Sequence, residues 1–336
     1  MKRNTLLALG LVLGTCLALN LSRAHAQTPA QQPIQPAASD AANRPIRFVV
    51  PFPPGSGTDT SARYFARKLT ELSGHPVVVD NRAGGNGFIA VRAVLSAPAD
   101  GSTVFIGSNS TLAVNAALFK TLPYDPVSDF APLSMLMRSP ALLVVPGQAE
   151  QQTLGDLISA ARARPDALNY GAGSAGYQLM AELFNDAARV QTHHVPFKGA
   201  GEAVTAVVGG TVQFAFAETT SAQELIKAGK LRALAVASER RVPALADIPT
   251  ATEAGLPGFS AYTWVAAMVS AKTPRAEVER LAALFTRIEG LPETREFYER
   301  LGAEVMPGGP EQMRAFQAGE IQLWKRITQK ARVELQ

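Results

Sequence analysis

The chain has 336 residues, and its 32 Lys and Arg residues nearly balance 28 Asp and Glu. Lys2, Arg3 and Arg23 lie before Gln27, so the chain from Gln27 onward carries 29 basic residues against 28 acidic ones. This near-neutral balance argues against nucleic acid as a partner. The single cysteine, Cys16, also precedes Gln27, which excludes disulfides, Cys-ligated metals and a Cys nucleophile from the rest of the chain.

The first 26 residues have the pattern of a secretory signal peptide. Lys2 and Arg3 precede an apolar run over 5–21, and Ala24–Ala26 supplies small residues for cleavage. We expect cleavage after Ala26 and export to the periplasm. Thr15 fits poorly before a lipidated cysteine, and the sequence leaves lipidation of Cys16 open. Residues 27–44 are rich in Pro, Ala and Gln and predict a flexible leader.

From Pro45 onward, short apolar strands alternate with helical patterns. Predicted strands lie at 46–50, 76–80, 102–107, 142–145, 193–197, 212–216 and 231–237, and helical patterns separate most of them. This alternation predicts βαβ units, parallel sheets covered on both faces and an α/β fold. After a last strand near 262–271 the tail is helical.

About 310 residues follow the signal, which exceeds the size of a single growing core and predicts two domains. Two apolar runs, 141–146 and 263–269, are candidates for crossing between the domains. The prediction is two doubly wound α/β domains joined by a two-strand hinge. Domain 1 takes 45–144 and 267–336, and domain 2 takes 145–266.

Five corners share one chemistry: a strand ends, small residues follow, and a helix begins. They lie at 51–59, 107–112, 171–178, 197–202 and 217–222. Helix starts attract anions through their dipole and unpaired N–H groups, and such corners meet at the carboxyl ends of strands, where ligands bind. A single corner of this kind is more often a plain helix cap or turn, but five in one chain favour a binding role for some of them. Asp59 points either back to its helix or toward a ligand, and the sequence leaves this open.

The 171–176 corner fits neither a dinucleotide-binding motif nor a catalytic serine motif well. The G-x-G-x-x-G pattern at Gly171–Gly176 lacks an acidic residue about 20 positions on. Ser174 lacks the first glycine of a nucleophile elbow and a suitably placed His and acid. His193 and His194 are adjacent on an extended segment, so they face opposite sides and cannot share a metal. We expect no enzyme activity, no cofactor and no metal.

The corners, in this order, resemble the Bug family of periplasmic solute-binding proteins, the receptors of tripartite tricarboxylate transporters. Matching stretches include RPIRFVVPFPPGSGTDTSAR, PVVVDNRAGGNGFIAVRAV, LPYDPVSDFAPL and HHVPFKGAGEAVTAVVGGTVQFAF, and the resemblance runs from about Pro45 to the C-terminus. It implies a type II periplasmic binding fold whose two domains close on a small ligand without catalysis.

The resemblance also implies a set of ligand-binding residues on both domains. They are Phe52, Gly55, Ser56, Thr58, Asp59, Ser108, Asn109, Ser110, Gly173, Ser174, Ala175, Tyr177, Gly199, Ala200 and Glu218. Two stretches depart from the family: Tyr177–Leu179 stands where THL is common, and Glu218-Thr219 stands where Asp-Asn is common. A longer acid at Glu218 either leaves less room or reaches a ligand's amine or amide.

The expected function is capture of a small carboxylate or related polar molecule and its delivery to a membrane permease, by a monomer. The alternative is an extracytoplasmic sensor that hands its liganded form to a signalling receptor. The sequence does not separate these two functions, and it does not identify the ligand.

Overall fold

The computed structural model describes residues 45–336 and places their strands in two sheets. The first sheet has the order β11-β4-β10-β3-β1-β2. Its strands are β1 (Ile46–Val50), β2 (Val77–Asn81), β3 (Thr103–Ser108), β4 (Phe130–Pro140), β10 (Tyr262–Ser270) and β11 (Glu304–Val305). β1 runs parallel to β2 and β3, whereas β10 lies antiparallel between β3 and β4.

The second sheet has the order β7-β6-β8-β5-β9. Its strands are β5 (Leu142–Pro146), β6 (Asn169–Ala172), β7 (His193–Pro196), β8 (Phe214–Ala217) and β9 (Leu231–Val236). β6 is parallel to β7 and β8, and β5 is antiparallel to β8 and β9. Both sheets are therefore mixed instead of parallel. β5 follows β4 of the other sheet after one residue, and β10 follows β9 of the other sheet through residues 237–261, which contain no α-helix. No crossover helix therefore imposes the parallel direction on either strand.

Helices cover both sheets, as the alternation predicts. They are α1 (Gly57–Ser73), α2 (Phe88–Leu95), α3 (Asn115–Leu118), α4 (Leu154–Ala163), α5 (Ala175–Ala188), α6 (Ala200–Val208), α7 (Thr219–Lys227), α8 (Arg275–Glu289), α9 (Pro292–Arg300) and α10 (Pro310–Lys330). Phe65 of α1 stacks on Phe285 of α8, which also stacks on Phe48 of β1. Such aromatic contacts bury large apolar areas. Within 45–336, no helix has the length and apolar character that a membrane span requires.

The chain passes between the sheets at Ala141 and again at Ala261. Ala141 N donates to Ala261 O at 3.0 Å, and Ala237 N donates to Ala141 O at 2.8 Å. Ala261 N completes the set by donating to Ala237 O at 3.0 Å. The chain therefore changes sheet a few residues before the predicted domain boundaries at 144 and 266. The strand in each apolar run, β5 in 141–146 and β10 in 263–269, belongs to one sheet only. A hinged two-domain division stays a prediction, and the signal peptide and leader lie outside the described residues.

Candidate functional site: a cleft between the two sheets

The first corner turns β1 into α1. Gly55 adopts a positive φ of 85°, a conformation that favours glycine. Ser56 then caps the helix, because its Oγ accepts a hydrogen bond from Asp59 N at 3.2 Å. The corner therefore presents the start of α1 to the space between the sheets.

Asp59 is bonded within its own corner and does not line the cavity described below, so its part in ligand binding stays a prediction. Its carboxylate accepts hydrogen bonds from Gly55 N at 2.9 Å, Asn81 Nδ2 at 2.9 Å and Arg63 Nε at 3.0 Å. Burial opposes ionisation, but these donors outweigh it and lower the pKa of Asp59. Asn81 Nδ2 also donates to Phe52 O at 3.0 Å, so the network fixes the corner from behind.

The second corner, Ser108–Ser110, follows β3 and reaches the opposite side of the cleft. Ser110 Oγ donates to Ser174 Oγ at 3.0 Å and accepts from Gly176 N at 3.1 Å. Asn109 is only 1 % exposed, yet its Nδ2 has no hydrogen-bond partner among residues 45–336. A buried donor without a partner costs free energy, so its presence calls for an explanation.

On the second side, the starts of α5 and α6 lie side by side. A Cβ on Gly173 would lie 2.2 Å from Ala200 N, so only glycine permits this approach. Ser174 caps α5, with Tyr177 N 3.5 Å from its Oγ. Tyr177 Oη is a further buried group that lacks a partner among the described residues.

Glu218 connects the two sides. It follows β8 and precedes α7, and its Oε1 accepts a hydrogen bond from Gly57 N, across the cleft, at 2.7 Å. Ser221 Oγ lies 3.5 Å from the same oxygen. Burial raises the pKa of Glu218, and the Gly57 N–H only partly offsets this effect.

These corners enclose a cavity of about 30 Å³, which is room for about two water molecules. Eleven predicted residues line it: Phe52, Ser56, Thr58, Ser108, Asn109, Ser110, Gly173, Ser174, Tyr177, Ala200 and Glu218. Gly55, Asp59, Ala175 and Gly199 do not line it. All five corners contribute at least one residue, and no Lys, Arg or His is part of its described lining.

Five residues absent from the predicted set complete the lining: Gly57, Met137, Thr263, Trp264 and Val265. The register that pairs Val265 with Ser108 brings the start of β10 beside the second corner. Strands that pair across such a long sequence separation show nothing in the local sequence to predict the pairing. The one feature that could have suggested this part of the lining was Trp264, a tryptophan within the apolar run 263–269.

A more open cavity of about 380 Å³ adjoins the first and shares Phe52, Gly173 and Ser174 with it. Lys198 and Glu202 are part of its wall. A ligand longer than a few atoms therefore extends into this outer cavity or requires the two sides to separate.

The described residues offer little for catalysis. Ser174 makes its side-chain hydrogen bonds with Ser110 and Tyr177, so no base contacts it. His194 stacks on Tyr170 at 5.3 Å, and burial lowers its pKa to about 4. Within 45–336 no group of three or more His, Cys, Asp or Glu is placed to hold a metal. The cleft is suited to holding a polar molecule.

Sequence comparison identifies the family. The profile of the "Tripartite tricarboxylate transporter family receptor" matches residues 61–333. The chain belongs to this family. Its members are periplasmic solute-binding receptors, and the predicted family membership is confirmed. The protein BugT of Bordetella pertussis is 36 % identical over 299 residues, which cover 87 % of this chain and 90 % of BugT.

Two solved structures of relatives at 30 % identity or more share this fold. Rpa4515 of R. palustris with adipate has a TM-score of 0.84 at 34 % identity and covers 87 % of this chain and 99 % of its own. MatC of Rhodopseudomonas palustris with bound malate has a TM-score of 0.79 at 31 % identity and covers 84 % and 98 %. The predicted periplasmic binding fold is confirmed.

Proposed function

We propose that this receptor captures a small organic acid or related polar molecule in the cleft and delivers it to the permease subunits of a tripartite transporter. The observation that carries the proposal is a pair of buried donors, Asn109 Nδ2 and Tyr177 Oη. Asn109 and Tyr177 line one cavity, one residue from each side, and neither donor atom has a partner among residues 45–336.

A bound acid supplies what these donors lack. Leaving a buried polar group unpaired costs about 1–3 kcal/mol, and a ligand oxygen removes that cost. The starts of α1, α5 and α6 add partial positive charge at the same place. An anion therefore finds several donors in the cleft without a cationic side chain.

The contacts between the two sides support capture by closure. Ser110–Ser174, Ser110–Gly176 and Gly57–Glu218 each join one side of the cleft to the other. A ligand that touches both sides stabilises the closed arrangement through contacts that an open arrangement cannot make. The adipate and malate bound by the two relatives indicate where a ligand search begins.

Calorimetry with a panel of small mono- and dicarboxylates, including adipate and malate, tests capture. Tyr177→Phe removes one hydroxyl from the cleft and should weaken binding about tenfold. Tyr298→Phe is the matched control, because Tyr298 Oη is also buried and unpartnered but lies outside the cleft. Equal loss in both variants, or no binding by any organic acid to the folded wild type, would contradict the proposal.

Uptake measurements test delivery. Cells that lack the receptor should fail to accumulate the labelled acid that the purified protein binds, and restoring the gene should restore uptake. Unchanged uptake, together with a lost transcriptional response to the same acid, would instead indicate a sensor.

A further inference from the structure

Glu218 places a carboxyl oxygen at the start of α1. Its Oε1 lies 2.7 Å from Gly57 N, and its side chain crosses from the second sheet to the first. Helix starts favour negative charge at this point. The cleft therefore already contains one carboxyl group of its own.

The other oxygen of Glu218, Oε2, is an acceptor on a residue that lines the cavity. Glu218 is 8 % exposed and lines the cavity. Its Oε2 makes no hydrogen bond to another residue of the described chain, and the one further donor near the carboxyl group is the backbone N–H of Glu218 itself. A buried carboxylate oxygen of this kind requires a donor. Oε2 thus requires a hydrogen-bond donor from the ligand, whereas Asn109 Nδ2 and Tyr177 Oη require an acceptor.

The charges around the cavity sharpen this contrast. The described lining contains no cation, and Lys198 lines the outer cavity. Burial already raises the pKa of Glu218, so a ligand carboxylate placed against it can bind only if one of the two carboxyl groups holds a proton, which costs free energy near neutral pH. A hydroxyl, amine or carboxamide at the same place would instead donate to Oε2.

We propose that Glu218 makes this receptor select molecules that combine one carboxylate with a hydrogen-bond donor, and reject molecules with a second carboxylate at that position. This inference rests on the proposed function and assigns its ligand class. The carboxylate binds near Asn109 and Tyr177, and the donor end contacts Glu218.

Dicarboxylates and their monoamides form matched probes, because each pair has nearly the same shape. Calorimetry near neutral pH compares succinate with succinamate, glutarate with glutaramate, and adipate with adipamate. The wild type should bind the monoamide of the best-fitting length at least about tenfold more tightly than its diacid. Glu218→Gln should remove or reverse that preference, since the introduced amide donates to a carboxylate.

Glu224→Gln is the control, because Glu224 lies on α7, the helix that Glu218 precedes, and its side chain is 84 % exposed. It should keep the wild-type preference. Gly57→Ala gives a second test that leaves Glu218 in place: the added Cβ would lie 3.3 Å from Oε1 and crowd the carboxylate. This variant should reduce the preference even where Glu218→Gln folds poorly.

The outcomes separate the two proposals. Binding of the diacids by the wild type as tightly as the monoamides overturns the role of Glu218 and leaves capture of an acid intact. A monoamide preference that Glu218→Gln and Gly57→Ala both retain also overturns it. A folded wild type that binds none of the six acids counts against both proposals.

Discussion

Trp264 Nε1 donates a hydrogen bond to Glu320 Oε2 at 2.8 Å, and this contact joins the wall of the cleft to the last helix. Trp324 Nε1 donates to the same oxygen at 3.2 Å. Trp264 is 2 % exposed and lines the cavity, so the orientation of its ring is fixed by a residue outside the cleft.

Glu320→Ala should therefore weaken ligand binding a few-fold and lower stability by about 1–3 kcal/mol, because two indole N–H groups lose their acceptor. Glu320→Gln retains an acceptor oxygen and should recover most of both losses. Urea unfolding and calorimetry measure the two effects. Equal effects of the two substitutions would argue against a role for this hydrogen bond.

Gly176→Ala should prevent full closure of the cleft. An added Cβ would lie 2.7 Å from Ser110 Oγ and 2.9 Å from Asn109 Nδ2, so one side must move away. We expect at least about tenfold weaker binding with little loss of stability, since alanine is favoured over glycine in a helix by up to about 1 kcal/mol. Small-angle scattering with ligand would report the failure to close.

Gly201→Ala is the matched substitution for that experiment. A Cβ at Gly201 meets nothing within 4 Å, although Gly201 also lies near the start of a helix beside the cleft. It should leave ligand affinity unchanged. Weaker binding in this variant would show that helix propensity, and not the contact with Ser110, causes the effect.

Asp59→Asn should destabilise the protein at about pH 7 by about 1–3 kcal/mol, because hydrogen bonds to a charged group are lost. The pKa of Asp59 is lowered below 3.8 in the folded protein. Its stabilising contribution is therefore present above that value and disappears as the pH falls through the folded pKa. Urea unfolding should show a smaller difference from the wild type near pH 3 than near pH 7. A pH-independent difference would contradict the role of its charge.

Glu289→Gln should flatten the pH dependence of stability. Burial raises the pKa of Glu289 from 4.5 to about 8, although the Ser134 hydroxyl and the Gly308 N–H partly offset it. The folded protein then holds a proton that the unfolded chain releases, so the free energy of unfolding falls as the pH rises from 4.5 toward 8. The variant should have a higher melting temperature than the wild type near pH 8. Glu296→Gln, at an exposed site, should retain the wild-type slope.

The corners that line the cavity could be predicted from the sequence because each corner is a local pattern. A strand end, a run of small residues and a capping hydroxyl recur within a few positions, and carboxyl ends of neighbouring strands share one edge of a sheet. This explains why each of the five corners reaches the cavity. The direction of the Asp59 side chain could not be predicted, because the local sequence is the same whether a carboxylate in the first helical turn binds Arg63 or faces a ligand.

Long-range contacts account for the remaining differences. Gly57 and Glu218 are 161 residues apart, and nothing near either residue indicates that they touch. The antiparallel directions of β5 and β10 depend on where the chain changes sheet. That change occurs at Ala141 and Ala261, where the two apolar stretches begin, and the nearby Pro140 and Pro257-Gly258 are equally typical of an ordinary turn.

The Trp264–Glu320–Trp324 contact gives the receptor an optical probe of its own. The 336 residues contain two tryptophans, and both indole N–H groups donate hydrogen bonds to Oε2 of Glu320 beside the cleft. Any change in tryptophan emission on adding a solute therefore originates at this contact. Fluorescence titration of the unlabelled protein can follow occupancy directly, and Trp324→Phe would isolate the signal of the indole on the cavity wall.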